Sequence, residues 1–168
     1  MSKTPTEIAV SAFMPGKIID GYTKNQSNMG AAMALSAFDT AEAFFSENDP
    51  YRYDVILTGD LGEVGSGILC ELFKERLGEK GSYLASIHKD CGTLLYDKEC
   101  QDVHSGASGC GCSASVMAAH ILPMVRRGEI KRLLLMSTGA LMSTSSVCQG
   151  ENILGVTPLI QIEHNTDL

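Results

Sequence analysis

Apolar and polar positions alternate from Glu7 through Phe13 and predict a strand, closed off by Pro15-Gly16. Ser27-Asn28 offers an N-cap for an Ala- and Met-rich helix running from Met29 to about Phe45, which Asn48-Asp49-Pro50 ends. Tyr53 to Thr58 is a short apolar run, the pattern of a parallel strand buried on both faces. An amphipathic helix follows, from Ile68 to about Leu77, with Lys and Glu gathered on one side. After Gly81, Tyr83–Ile87 predicts another strand, and a polar stretch then runs from His88 to His104. The Gly-, Ser- and Cys-rich run Ser105–Ser113 opens a helix from Ala114 to about Arg127, with Gly128 as its stop. Arg132–Ser137 predicts a buried strand, and Gly155–Glu163 the last one.

Strands alternating with helices in this way mean βαβ units. The expected fold is α/β, with one mostly parallel, mixed five-stranded sheet, helices on both faces, and a single domain over residues 1–168. The segment Ala114–Val125 contains no Asp, Glu, Lys or Arg. A helix without a charged face is buried on most sides. Burying it between two sheets takes a second sheet, which the pattern does not supply, so the chain reads as half of a larger fold. Pro123 falls in the last turn of that helix, where a kink is tolerated.

Charge narrows the partners. The chain carries a formal net charge of -7, and its basic pairs, Arg126-Arg127 and Lys131-Arg132, suit a helix end rather than a phosphate track, so nucleic acid is not an expected partner. No stretch approaches a membrane-spanning apolar run, and Met1-Ser-Lys-Thr-Pro-Thr-Glu7 has no apolar signal core, so a cytoplasmic protein is expected. Six cysteines invite a zinc reading through His88-x-x-Cys91, Cys100-x-x-x-His104 and Cys110-x-Cys112. The paired Cys-x-x-Cys knuckles of structural zinc sites are missing, so free thiols and no metal or cofactor are expected. A small metal-binding domain stays as the lesser alternative.

The chemistry gathers at three Gly-flanked turns. Gly106, Gly109 and Gly111, with Ser108 and Ser113, let backbone approach a ligand at the start of the uncharged helix. His104 lies just upstream. Thr58-Gly-Asp-Leu-Gly62 follows a buried strand and contributes Asp60 and Gly62; Ser137-Thr-Gly-Ala-Leu-Met142 follows another and contributes Gly139. Ligands in parallel sheets sit beyond the carboxyl ends of strands, where the latter two turns fall. Asp60 also reads as an Asx residue stabilising its own turn, and His104 as a satisfied loop histidine. His120 reads as a core or half-interface histidine, His88 and Cys91 as structural, and His164 is assigned nothing. No nucleophile–base pair stands out.

The strings NMGAAMA, YDVILTGDLGEVGSGIL, DCGTLLYD, QDVHSGASGCGCSA and GEIKRLLLMSTGALMS resemble the stage V sporulation protein AD family over nearly the whole chain. The resemblance implies the C-terminal half of a thiolase-like fold similar to type III ketoacyl synthases. It also implies binding of the dianion dipicolinic acid (pyridine-2,6-dicarboxylate) during its uptake into the developing spore, alongside other uptake proteins at the forespore membrane. By the same resemblance, Thr58–Gly62 corresponds to the condensing-enzyme segment that carries a catalytic His, and Gly106–Ser113 to the one that carries a catalytic Asn. Here Gly59 and Asp60 occupy the first and Gly-Ala-Ser-Gly the second, and the nucleophile's half of the fold is not in this chain. Thr157-Pro158 stands where the family places a small residue followed by His. A non-catalytic binding protein is therefore expected, with Asp60, Gly62, His104, Gly106, Ser108, Gly109, Gly111, Ser113 and Gly139 as ligand-site residues. A separate N-terminal half or a second copy is its expected partner. The alternative is half of an acyl-transfer enzyme whose nucleophile comes from another chain.

Overall fold

A computed structural model describes residues 6–165, so most of the N-terminal stretch read for a signal core lies outside the described residues. In chain order the elements are β1 (Ile8–Met14), β2 (Ile18–Asp20), α1 (Met29–Phe45), β3 (Val55–Thr58), α2 (Gly62–Ile87), β4 (His88–Asp90), α3 (Cys91–Leu94), α4 (Cys110–Val116), a π-helical turn (Met117–Ile121), α5 (Leu122–Arg126), β5 (Arg132–Met136), β6 (Gly139–Leu141), α6 (Thr144–Cys148), β7 (Leu154–Val156) and β8 (Leu159–His164). Five strands form one mixed sheet in the order β1-β8-β5-β3-β4. β3 pairs parallel with β4 and β5, whereas β8 runs antiparallel to both β5 and β1. The fold is the α/β arrangement that the periodicity predicts.

Side chains of the central strands divide between two faces, as continuous apolar strands require. Ile56, Leu134 and Met136 pack with α1 and α2, while Leu57, Leu133 and Ile162 pack with the α4–π–α5 segment. Helices thus cover both faces.

Several sequence expectations need correction. Tyr83–Ile87 is not a strand; it is the end of α2, a long helix kinked at Gly78, whose φ of 60° is open to glycine. Phe73, Leu77, Gly81 and Leu84 continue one stripe at helical spacing through the kink, and burial of Phe73 and Leu84 outweighs the strand preference of Tyr83 and Ile87. The third strand is the short β4 beyond it.

The predicted last strand is two strands in different sheets. Pro158 separates β7 from β8, and β7 joins β2 and β6 in a three-stranded antiparallel sheet. That second sheet lies on α1, where Gly155 is a close approach: a Cβ there would stand 2.8 Å from the Ala32 carbonyl oxygen and 2.9 Å from Ser36 Oγ. Thr157 is buried beside it, with its hydroxyl 2.8 Å from Ser36 Oγ and its carbonyl accepting from Thr40 Oγ1 at 2.7 Å.

The most enclosed helix is therefore α1, not the uncharged segment after Gly109. Ten of the seventeen α1 residues are buried, most of them Ala, Gly, Ser or Thr. Its cap differs too: Asn25 accepts from the Ser27 N–H in a 3-10 turn, and Asn28 makes no side-chain cap. The α4–π–α5 segment buries Val116, Met117, Ile121 and Val125, whereas Ala114, Ser115, Ala118, Ala119 and His120 are exposed. From Ala114 to His120 its open face carries no Asp, Glu, Lys or Arg and, His120 apart, its side chains are small; the exposed Arg126 at its end pairs with Glu7.

Candidate functional site

At the carboxyl ends of β3 and β4 lies a cleft of about 300 Å³. One wall is the start of α1 with the turn before it, Gln26 to Gly30, plus Met33 one turn on. The second is the turn Asp60–Gly62 with Val64, and the third is the loop Val103–Ser108. Glycine makes the walls fit. A side chain on Gly30 would overlap the Leu61 carbonyl oxygen, and one on Gly106, whose φ is 109°, would overlap that of Gly92. Glu63 N–H donates to the Ser105 carbonyl at 2.8 Å, and Ala107 N–H to that of Gly92 at 2.8 Å, fixing the third wall.

Of the residues singled out from the sequence, Asp60, Gly62, His104, Gly106 and Ser108 line this cleft. Gly109 stands just behind it, its N–H donating to Asp60 Oδ2 at 2.7 Å. Gly111 and Ser113 lie outside the cleft lining, in α4, where the Ser113 hydroxyl donates to the Cys110 carbonyl. Gly139 is in β6 against Val156, also outside it. Thr157 and Pro158 are not in the lining either; Thr157 belongs to the α1 packing described above.

Asp60 is more committed than an open ligand contact. Oδ1 accepts from Thr138 Oγ1 at 2.8 Å, Oδ2 takes the Gly109 N–H, and the Asp60 N–H donates to Thr138 Oγ1 at 2.9 Å. One carboxylate thus links all three Gly-flanked turns and sits at the amino end of the uncharged segment, the position the sequence reading left open for a ligand anion. His104, at φ 49°, is exposed, with Nδ1 3.9 Å from Asp102. Among the described residues, Asp60 and His104 are the only titratable side chains in the lining, and no Lys or Arg contributes to it.

The walls from α1 went unnoticed in the sequence. Gly30 in NMGAAMA, where α1 and α2 touch backbone to backbone through Gly65, was the available signal. Asp90 was missed as well. It is 1% exposed and accepts from Thr58 Oγ1 at 2.6 Å and from the Leu61 and Gly62 N–H groups at 2.9 and 3.0 Å. Burial raises its pKa against the pull of those bonds.

A second network runs away from the cleft. His88 Nε2 is 2.9 Å from Thr58 Oγ1 and Nδ1 is 3.5 Å from Cys70 Sγ. The Thr58 proton goes to Asp90, so Thr58 accepts from Nε2–H and Nδ1 faces the Cys70 thiol as an acceptor. Burial pulls the His88 pKa down to about 4, so the ring is neutral at pH 7. Burial also pushes Cys91 up to about 12 and Cys112 to about 11, leaving both as protonated core thiols. Among the described residues all cysteines are free, no cluster of three or more His, Cys, Asp or Glu could hold a metal ion, and no helix is long and apolar enough to cross a membrane. His120 is exposed, not a core histidine.

Comparison with known proteins converges on one family. The family model described as Stage V sporulation protein AD (SpoVAD) matches residues 1–163. A curated Stage V sporulation protein AD from Bacillus subtilis (strain 168) is 39% identical over 155 residues, covering 91% of this chain and 44% of that protein. The chain therefore spans less than half the length of that relative.

Proposed function

This chain belongs to the stage V sporulation protein AD family, and from that premise we propose that it acts in sporulation as a non-catalytic binder of dipicolinic acid. The observation that carries the reading is the glycine-walled cleft at the strand ends. Its size matches a small-molecule pocket, and its walls bring Asn28, Ser27, Ser105 and Ser108 around an apolar floor with Met33 and Leu61. The start of α1, half-buried at Met29 and without an acidic residue in its first turn, lines the cleft and adds a favourable field for a carboxylate.

Against catalysis stands the chemistry of the two turns. Acyl transfer needs a positioned nucleophile and donors aimed at the developing oxyanion. Asp60 fills the first turn with a negative charge already engaged by Thr138 and Gly109, and the second offers only Gly, Ala and Ser. Cys91 and Cys112 are buried thiols with raised pKa values.

The cleft is incomplete for a dianion. With Asp60 in its wall and no Lys or Arg among its lining residues, it lacks the counter-charge that two carboxylates require. The missing groups come, in this reading, from the complementary half of a thiolase-like fold, supplied by a separate N-terminal chain or by a second copy. The uncharged face of Ala114, Ser115, Ala118 and Ala119 suits close approach of such a partner. Action at the forespore membrane would then be through partner proteins.

Calorimetric titration tests the reading, using the chain alone and the chain with the N-terminal half of its Bacillus subtilis relative. Dipicolinate should bind the pair at least tenfold more tightly than picolinate, which has one carboxylate. Equal binding of the two acids, or release of free coenzyme A from malonyl-coenzyme A by the pair, would overturn it.

A further inference from the structure

Thr58 and Asp90 stand side by side at the ends of β3 and β4, paired in register. Each carboxylate oxygen of Asp90 holds two donors. Oδ2 accepts from Thr58 Oγ1 and the Leu61 N–H; Oδ1 accepts from the Gly62 N–H and, at 3.3 Å, the Thr93 N–H. Four donors and no acceptor is the pattern of an ionised carboxylate. The site is also the amino end of α2, a long helix whose first turn has no side-chain cap of its own. Asp90 caps that helix from a neighbouring strand, and caps the α3 turn through Thr93 at the same time.

Each of these bonds adjoins one that holds the third cleft wall. Gly62, bound to Oδ1, precedes Glu63, whose N–H grips the Ser105 carbonyl. The α3 turn, held at Thr93, presents the Gly92 carbonyl that takes the Ala107 N–H. Asp90 itself does not line the cleft.

We infer that Asp90 is the positioning residue of the cleft: it touches no ligand, and it sets the spacing between the Asp60–Gly62 wall and the Ser105–Ala107 wall. Its role for a ligand rests on the cleft being the dipicolinate site; its role in wall geometry does not.

The decisive substitution is Asp90→Asn. Both carboxylate oxygens face backbone N–H groups, so the new NH₂ meets a donor in either flip. Amide hydrogen exchange should accelerate at least tenfold at Leu61, Gly62 and Ala107, with smaller changes elsewhere. Leu84→Ala, in the buried far part of α2, serves as the control and should accelerate exchange broadly. Thr58→Val, at constant shape, removes one donor to Asp90 together with the acceptor of His88 Nε2–H, and should give a smaller acceleration at the same three amides; paired with His88→Gln to account for the lost histidine bond, it decides the matter if Asp90→Asn does not fold. In the assembly that binds dipicolinate, Asp90→Asn should weaken affinity at least tenfold, and Leu84→Ala much less. Exchange rising no more at those amides than across the chain, or affinity unchanged in Asp90→Asn, would overturn the inference. Failure of the unsubstituted assembly to bind dipicolinate would sink the ligand reading alone, leaving the exchange pattern to judge the positioning role.

Discussion

The carboxylate of Asp60 takes the backbone N–H of Gly109 at 2.7 Å, across 49 positions of sequence. The bond closes one end of the uncharged helical segment and puts a negative charge in the cleft wall. Asp60→Asn keeps a carbonyl for Gly109 and can still pair its amide with Thr138 Oγ1. It should lower stability by only about 1 kcal/mol and tighten dipicolinate binding, because the like charge is gone. Asp60→Ala should lose both links and weaken binding. Chemical denaturation and calorimetry of the two variants check this; tighter binding by the Ala variant than by Asn would contradict it.

Two glycine substitutions separate packing from propensity. Gly67 is in α2 with nothing within 4 Å of an added Cβ, so Gly67→Ala should stabilise the chain by about 1 kcal/mol. Gly30→Ala also lies in a helix, but its Cβ would overlap the Leu61 carbonyl where α1 meets α2. It should destabilise by about 2 kcal/mol or more despite the gain in propensity. Thermal unfolding that shifts both variants in the same direction would disprove the close approach.

His88 gives the fold an acid sensitivity with a definite sign. Its pKa is about 4 in the fold against 6.5 unperturbed, from burial first and Lys89 second. The unfolded chain takes up a proton below pH 6.5 that the folded chain refuses. Stability should therefore fall as pH drops from 6.5 toward about 4, by roughly 3 kcal/mol in full. The ring meets Cys70 from α2 and Thr58 from β3, feels the charge of Lys89 on its own strand, and reaches Asp90 only through the Thr58 hydroxyl. Asp90, raised by burial, works in the opposite direction, so His88→Gln isolates the histidine. Denaturation curves of that variant should lose most of the slope; an unchanged slope would rule His88 out.

The open face of the uncharged segment predicts association. Met117 and Ile121, at 9% and 3% exposure, face the core, so the face is probed at Ala118 and Ala119 instead. Ala118→Lys should leave the thermal midpoint nearly unchanged and abolish pairing with a partner half in sedimentation runs. Pairing undisturbed by that substitution would place the interface elsewhere.

Much of the architecture was legible because the central strands are continuous apolar runs: Val55–Thr58 and Arg132–Met136 fall where the pattern puts them. The small second sheet was not, since its three strands have three residues each and too few positions to show a period. Nor was the continuation of α2 through Gly78 and Gly81, two residues that normally mark an end. At the site, the Gly-flanked turns pointed to Asp60, Gly62 and Gly106, because glycine there answers a backbone need. Asp90 was hidden for the opposite reason. Two of its backbone partners, the Leu61 and Gly62 N–H groups, lie some 30 residues away, and no local pattern records that long-range cap.

Amide chemical shifts during titration of the paired assembly with dipicolinate, the chain alone carrying the isotope label, test the central claim most directly. The account predicts saturable shifts confined to Asn28–Gly30, Asp60–Gly62 and Ser105–Ser108, the three cleft walls, with Gly139 and the exposed helical face unmoved by the ligand. Shifts centred away from those walls, or none at millimolar ligand, would contradict it.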